Sequence, residues 1–265
     1  MNIESVVDRI REIIDDENYK QLKETLAEFH AADLVDIFQE LSPKERLACF
    51  KQIDEELAAD TLEYLPPQLQ VELLSEIDEE LASRIIAKMP HDEVADILGD
   101  MEDDESQSYL DKLPLKLSSE LRELMTYNEE SAGGIMNPIV LTVNSESNVK
   151  DVLDTIRFKA EEDNMELYYV YVVDNQKHLL GVVSLRKLLT APIKQKITEI
   201  MIKDIVKLHV DDRQDHIAED FMKYQFNALP VVDLYNRLKG IVTWDDVQDI
   251  VEEETTEEIY TSSGI

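Results

Sequence analysis

Apolar positions in residues 30–125 recur with a period of 24. The segments HAADLVDIFQELSPKERLACFKQI, DEELAADTLEYLPPQLQVELLSEI, DEELASRIIAKMPHDEVADILGDM and EDDESQSYLDKLPLKLSSELRELM align without a gap. Their twelfth positions are Leu41, Leu65, Met89 and Leu113, and their last are Ile53, Ile77, Met101 and Met125. The thirteenth holds Ser42, Pro66, Pro90 and Pro114. Proline suits the first turn of a helix and disfavours helix just before it, so each repeat reads as helix, sharp turn, helix. Helices of about ten residues are marginal alone and must stack to bury their apolar faces. The pattern therefore predicts a small superhelix of helix pairs, preceded by helices near Ile3–Asp15 and Tyr19–His30.

After Met125 the period changes, and β-branched runs bounded by turn residues alternate with amphipathic helices. A strand over Met136–Val143 is followed by a helix with Val149, Val152, Leu153 and Ile156 on one face, then strands Tyr168–Asp174 and Leu179–Ser184 around a turn at Asn175 and Gln176. A second copy repeats this order. It has a strand over Ile200–Val210, a helix carrying Ile217, Phe221 and Tyr224, strands Ala228–Asp233 and Leu238–Thr243 with a turn near Asn236, and a helix opening at Asp245. The expected architecture is thus multidomain: an all-α helical-repeat superhelix, then a tandem α/β pair.

Charge narrows the partners. Against 26 Lys and Arg stand 59 Asp and Glu, a formal charge of -33 that repels nucleic acid phosphates and favours cations or basic partners. The acids are interleaved with Leu, Ile and Val at helical spacing, unlike a disordered acidic tail. The single cysteine, Cys49, shares its repeat position with Leu73, Ile97 and Leu121 and reads as core. With no second cysteine there is no intrachain disulfide, which suits a reducing compartment. Neither a run of roughly 20 apolar residues nor a signal peptide is present, so the chain as given is expected to be soluble. His30, His91, His178, His209 and His216 show no metal-ligand spacing, and there is no Gly-rich phosphate loop or nucleophile elbow, so an enzyme is not expected.

Asp92 and Asp96 lie four apart on one helix and share a face. They read either as a solvated helix face or as half of a cation site, with Asp60 of the preceding repeat on the same side. The acidic run at the C-terminus is likewise open to a solvated helix end.

The segments "MNPIVLTVNSESNVKDVLDTI" and "LPVVDLYNRLKGIVTWDDVQDIV" resemble a tandem of CBS domains, and "EESAGGIMNP" resembles the junction between the helical N domain and the CBS pair of MgtE-type magnesium channels and transporters. The similarity extends over essentially the whole chain. It implies an N domain over 1–125, CBS domains over 126–196 and 197–250, and from 251–265 the start of a connecting helix toward a membrane-embedded pore domain. It also implies a cytoplasmic regulatory region, a homodimer through the CBS domains, and sensing Mg²⁺ ions that bridge acidic faces to favour a closed pore. Carried over by motif, the ligands are Asp92 and Asp96 of "HDEVADIL" with Asp60, Asp246 and Asp249 of "TWDDVQDIV", and Glu254, Glu257 and Glu258 of "EETTEE". Where the family tends to show an acid before the "ALPVVD" strand, this sequence has Gln225.

CBS pairs also bind adenine nucleotides through Gly-h-h-Ser/Thr-x-x-Asp, where h is apolar and the Asp contacts ribose. The second copy has the pattern in Gly240–Asp246, whereas the first has Lys187 in the acidic place. ATP is therefore the alternative ligand, with the chain as a CBS-type nucleotide sensor carrying a helical-repeat scaffold. Thr243 also reads simply as a helix N-cap.

Overall fold

In the computed structural model, residues 3–159, 167–248 and 250–251 are described, and the chain divides into two compact units, Met1–Arg122 and Glu123–Ile265. The first is helical. It opens with α1 (Ile3–Asp15) and α2 (Tyr19–Leu26), and the four repeats follow as α3 (Ala31–Glu40) with α4 (Pro43–Phe50), α5 (Glu55–Glu63) with α6 (Pro67–Ser75), α7 (Glu79–Ile86) with α8 (His91–Gly99), and α9 (Asp103–Lys112) with α10 (Leu115–Leu124).

The period is written into the caps. His30, Asp54, Asp78 and Glu102, the first residues of the repeats, are the N-caps of α3, α5, α7 and α9. The Asp54 and Asp78 carboxylates accept the N–H of Leu57 and Leu81, satisfying donors that an open helix end leaves orphaned. At the turn, the prolines stand one position earlier than a first-turn proline: Pro66 and Pro90 are themselves N-caps at φ near -54° and -53°, and Pro43 and Pro67 supply the first helical residue. A fixed φ and extended ψ suit the cap, which must leave the helix while its carbonyl still accepts. Ser42 closes a capping box with Glu45.

Stacking runs through alternate helices: α1 on α3, α3 on α5, α5 on α7, α7 on α9, with α6 on α8 in the second layer. The twelfth positions Leu41, Leu65, Met89 and Leu113 are all buried, as are Cys49, Leu73, Ile97 and Leu121. Burial pushes the Cys49 thiol up to about 12, which leaves it an inert apolar filler. Arg46 and Gln70 hold the same repeat position and do the same work. Arg46 Nε donates to the carbonyl of Phe38, and Gln70 Nε2 to that of Leu62, each tying the end of one helix to its partner across the turn.

The second unit contains two copies of one α/β motif. The first has β1 (Thr142–Asn144), α11 (Val149–Lys159), β2 (Tyr169–Val173), β3 (Leu179–Ser184) and α12 (Leu185–Thr190). After α13 (Ile197–Ile200), the second has β4 (Leu208–His209), α14 (Gln214–Tyr224), β5 (Ala228–Val232), β6 (Leu238–Thr243) and a helix over 244–248. In each three-stranded sheet the first strand runs parallel to the middle one and the last antiparallel to it. The hairpin turns contain Lys177 and Asn236 at positive φ, and they bond to each other through Leu179 N–H to Asn236 O and Leu238 N–H to Lys177 O.

The long opening strands expected at Met136–Val143 and Ile200–Val210 are split. Only their last residues join their own sheet. Earlier in each run the backbone crosses to the other copy: Asn137 exchanges two hydrogen bonds with Ile241 on β6, and Ile202 two with Val182 on β3. The crossing passes directly over Gly240 and Gly181. A Cβ on Gly240 would stand 2.7 Å from Asn137 O, and one on Gly181 would strike the Met201 side chain, so the close approach requires glycine. Upstream, the segment leading in is bonded to the second copy as well. Ala132 and Gly133 donate to the carbonyls of Asp212 and Val210, and Lys239 Nζ lies 2.6 Å from Glu123 Oε1.

Candidate functional site

On the helical unit, Asp60 sits exposed on α5, one turn after Glu56 and two after the N-cap Asp54. Partial burial together with the fields of Glu56 and Asp54 raises the affinity of its carboxyl for a proton. Three carboxylates wound onto two turns crowd negative charge, since residues four apart face one another.

Asp92 and Asp96 both lie on α8, Asp92 in its first turn, where the positive end of the helix dipole favours an anion. The two are not alike in exposure. Asp92 is only 6% exposed, whereas Asp96 reaches solvent. The shared outer face expected from their spacing is therefore present at Asp96 and turned inward at Asp92. Next to them, His91 Nδ1 is 3.6 Å from the Glu120 carboxylate on α10.

On the second unit, Asp246 has a structural task. Its Oδ2 accepts the Thr243 N–H at 2.8 Å and the Thr243 hydroxyl at 2.7 Å, bracing the start of the helix over 244–248. In the first copy Ser184 caps α12 by accepting the Lys187 N–H, so lysine in the acidic place leaves the cap intact. The Gly-h-h-Ser/Thr-x-x-Asp pattern is thus accounted for locally: glycine for the crossing strand, hydroxyl and carboxylate for the helix start. Gln225, which stands where an acid was expected, ends α14 in the left-handed region at φ 55°. Asp249, Glu254, Glu257 and Glu258 fall outside the described residues.

Among the described residues no three His, Cys, Asp or Glu side chains gather closely enough to hold a metal ion. A hard cation such as Mg²⁺ keeps several of its waters and takes one or two carboxylates from the protein, so a group of three is not required of a Mg²⁺ site.

A packed apolar seam that sequence reasoning did not single out lies between the two copies. Its walls are Val140, Leu141, Tyr169, Tyr171, Ala228 and Ile241. The Tyr171 hydroxyl is buried with no hydrogen-bond partner among the described residues, and burial pushes its proton affinity far above the ordinary phenol. The signal was in the sequence: three tyrosines within four residues, Tyr168, Tyr169 and Tyr171, in a strand that otherwise reads as plain core.

A helical-repeat arm rich in carboxylates, followed by two interlocked βαββ copies each ending in a capped helix, defines a protein with a CBS pair and a helical N-terminal arm. Residues 29–130 match the family described as the MgtE intracellular N domain, and residues 132–194 and 197–253 match the CBS domain. The solved cytosolic domain of the Mg²⁺ channel MgtE in complex with ATP is 32% identical, superposes with a TM-score of 0.87, and is matched over 92% of this chain and 99% of that one. The solved soluble part of a magnesium transporter is 27% identical at a TM-score of 0.83, over 96% and 99% of the two chains. The chain belongs to the MgtE family. Among curated relatives, the magnesium transporter MgtE of Thermus thermophilus is 40% identical over 147 residues, 56% of this chain and 32% of the relative. That of Enterococcus faecalis is 33% identical over 148 residues, again 56% and 32%. The chain spans about a third of the length of these relatives.

Proposed function

We propose that this chain is the magnesium-sensing regulatory region of an MgtE-type Mg²⁺ channel or transporter, working as a homodimer through its CBS domains beside its own pore domain at the cytoplasmic face of the membrane. The division is an N domain over 1–125, CBS domains over 126–196 and 197–250, and a connecting helix from 251. The observation that carries the reading is the match over 92% of the chain to a solved MgtE cytosolic domain. In this reading Asp60, Asp92 and Asp96 of the N domain, Asp246 and Asp249 of the CBS pair, and Glu254, Glu257 and Glu258 of the connecting helix present the carboxylates that hydrated Mg²⁺ bridges.

Electrostatics supplies the switch. Two carboxylates about 5 Å apart repel by roughly 3 kcal/mol at an effective dielectric near 20. Asp60 is a local case in which burial first, and then the fields of Glu56 and Asp54, raise the affinity for a proton. Facing acidic walls separate when magnesium is scarce and close when it is abundant. Moving such a two-state balance from 1:99 to 99:1 takes about 5.5 kcal/mol of differential binding, which several weak sites supply together. Closure of the module would draw the connecting helices toward the closed pore. Small-angle scattering in chelator and in millimolar Mg²⁺ tests this: a smaller radius of gyration in Mg²⁺, lost when Asp92 and Asp96 are both changed to Asn, is the expected result. An identical envelope in the two conditions removes the mechanism.

A second reading, adenine-nucleotide sensing at the CBS pair, is favoured by the relative solved in complex with ATP. Calorimetry separates the two: ATP binding without magnesium-dependent compaction supports the nucleotide sensor.

A further inference from the structure

Acids outnumber bases 59 to 26 along the chain, yet between Arg186 and Lys207 the balance inverts. Arg186, Lys187, Lys194, Lys196, Lys203 and Lys207 stand there against Glu199 and Asp204. Lys196 is committed to Glu146. Arg186, Lys187, Lys194 and Lys203 are exposed and form no ion pair among the described residues, in a molecule with carboxylates to spare. Interleaved with them are Leu189, Ile193 and Ile202, 65%, 55% and 59% exposed. The fold attaches the segments that carry them to one strand of the first copy. Both α12 and α13 pack on β3, and Ile202 is bonded to Val182 of that same strand.

We propose that this strip, running from α12 through α13 to Lys203, docks on an anionic lipid surface. Three of its four unpaired bases are lysines, compact charges on long flexible stems that suit a diffuse sheet of phosphates rather than the fixed fork of one carboxylate. Ile193 and Ile202 each stand beside a lysine on a short connector, and Leu189 follows Lys187 by two positions on α12. That arrangement suits shallow insertion at the headgroup boundary, whereas an acidic helix from a partner protein needs a continuous groove. The overall charge of -33 does not forbid it, because at physiological salt fields beyond about 8 Å are screened and the surface meets chiefly the local bases. The inference rests on the reading of this chain as part of a membrane protein and adds an orientation: the α12–α13 side of the first CBS copy faces the bilayer.

Co-sedimentation of the chain with phosphatidylcholine vesicles, with and without phosphatidylglycerol and in chelator so that divalent ions cannot bridge acids to lipid, tests the strip. Binding only to the phosphatidylglycerol vesicles, weakened by salt, is expected. Reversing Arg186, Lys187, Lys194 and Lys203 to Glu should reduce partitioning by more than about tenfold. The same reversal at Lys23, Lys44, Lys51 and Lys88 of the helical unit changes net charge equally and should leave partitioning within about twofold. Ile193→Ser should weaken binding while the melting temperature holds. Failure to bind phosphatidylglycerol vesicles, or equal losses from the two sets of reversals, overturns the proposal. So does self-association without lipid binding that the strip reversals abolish, which would make a second copy of this chain the occupant. Because the measurement is made without magnesium, its failure leaves the scattering response intact, and the reverse also holds.

Discussion

Gly240 shows how one position ties sequence to assembly. The strand arriving from the other copy leaves no room for a methyl group, with the Asn137 carbonyl oxygen 2.7 Å from where a Cβ would stand. Backbone cannot retreat as a flexible side chain can, so Gly240→Ala should cost about 2 kcal/mol or more in denaturant unfolding. Gly181→Ala meets only the Met201 thioether chain and should cost less. A second residue-scale outcome concerns Asp60. Its proton affinity is raised in the fold, so the protonated form contributes stability that is complete below the unfolded pKa and lost as pH rises through the folded one. Asp60→Asn should therefore flatten the acid side of the pH–stability curve and add about 0.3 kcal/mol near neutrality, read from urea melts across pH. Glu45 runs oppositely. Its hydrogen bonds with Ser42 hold its carboxyl below the ordinary range, so its contribution is present above the unfolded pKa and disappears as pH falls through the folded one.

At the scale of elements, the 24-residue period was legible because it is a packing rule: the same positions face the core in every repeat, and both the turn and the caps recur with them. What the period did not reveal is that the thirteenth residue ends outside the helix, a distinction of one position in cap geometry. The two opening strands of the α/β copies were misread for a different reason. An apolar extended run looks the same whether it pairs with its own sheet or crosses to another, since periodicity reports that a face is buried and not against what. Candidate ligands were legible only as carboxylates at helical spacing. Asp246 illustrates the limit, because a helix-start carboxylate and a ligand need the same residue type. Arg46 offers an element-scale test. Its guanidinium holds the carbonyls of Phe38 and Leu41 and reaches Glu72 of the next repeat. Arg46→Ala should destabilise the helical unit by about 2–4 kcal/mol, since buried carbonyls lose their donors, whereas Arg46→Lys should recover only part.

For the molecule as a whole, sensing by ligand binding has a thermodynamic signature independent of shape. A cation that binds the closed form and not the unfolded chain stabilises by RT ln(1 + [L]/Kd), about 2.7 kcal/mol at a hundred times Kd. Thermal unfolding should therefore shift upward through the millimolar Mg²⁺ range, and much less with Na⁺ at matched ionic strength. Asp92→Asn with Asp96→Asn should blunt the magnesium-specific part. A shift reproduced in full by Na⁺ would mean that simple screening of a strongly acidic surface is at work.

The exchange of opening strands also bears on how this chain can be cut. With Asn137 completing one sheet from outside and Ile202 completing the other, each half of the pair holds an edge that belongs to its neighbour. A break near Gln195 would leave both fragments with bare strand margins, prone to clump when made separately. Mixed together, the halves carry everything needed to find each other again, so recovery on mixing is the behaviour to expect. For the same reason, neither half is suited to being transplanted alone into another protein.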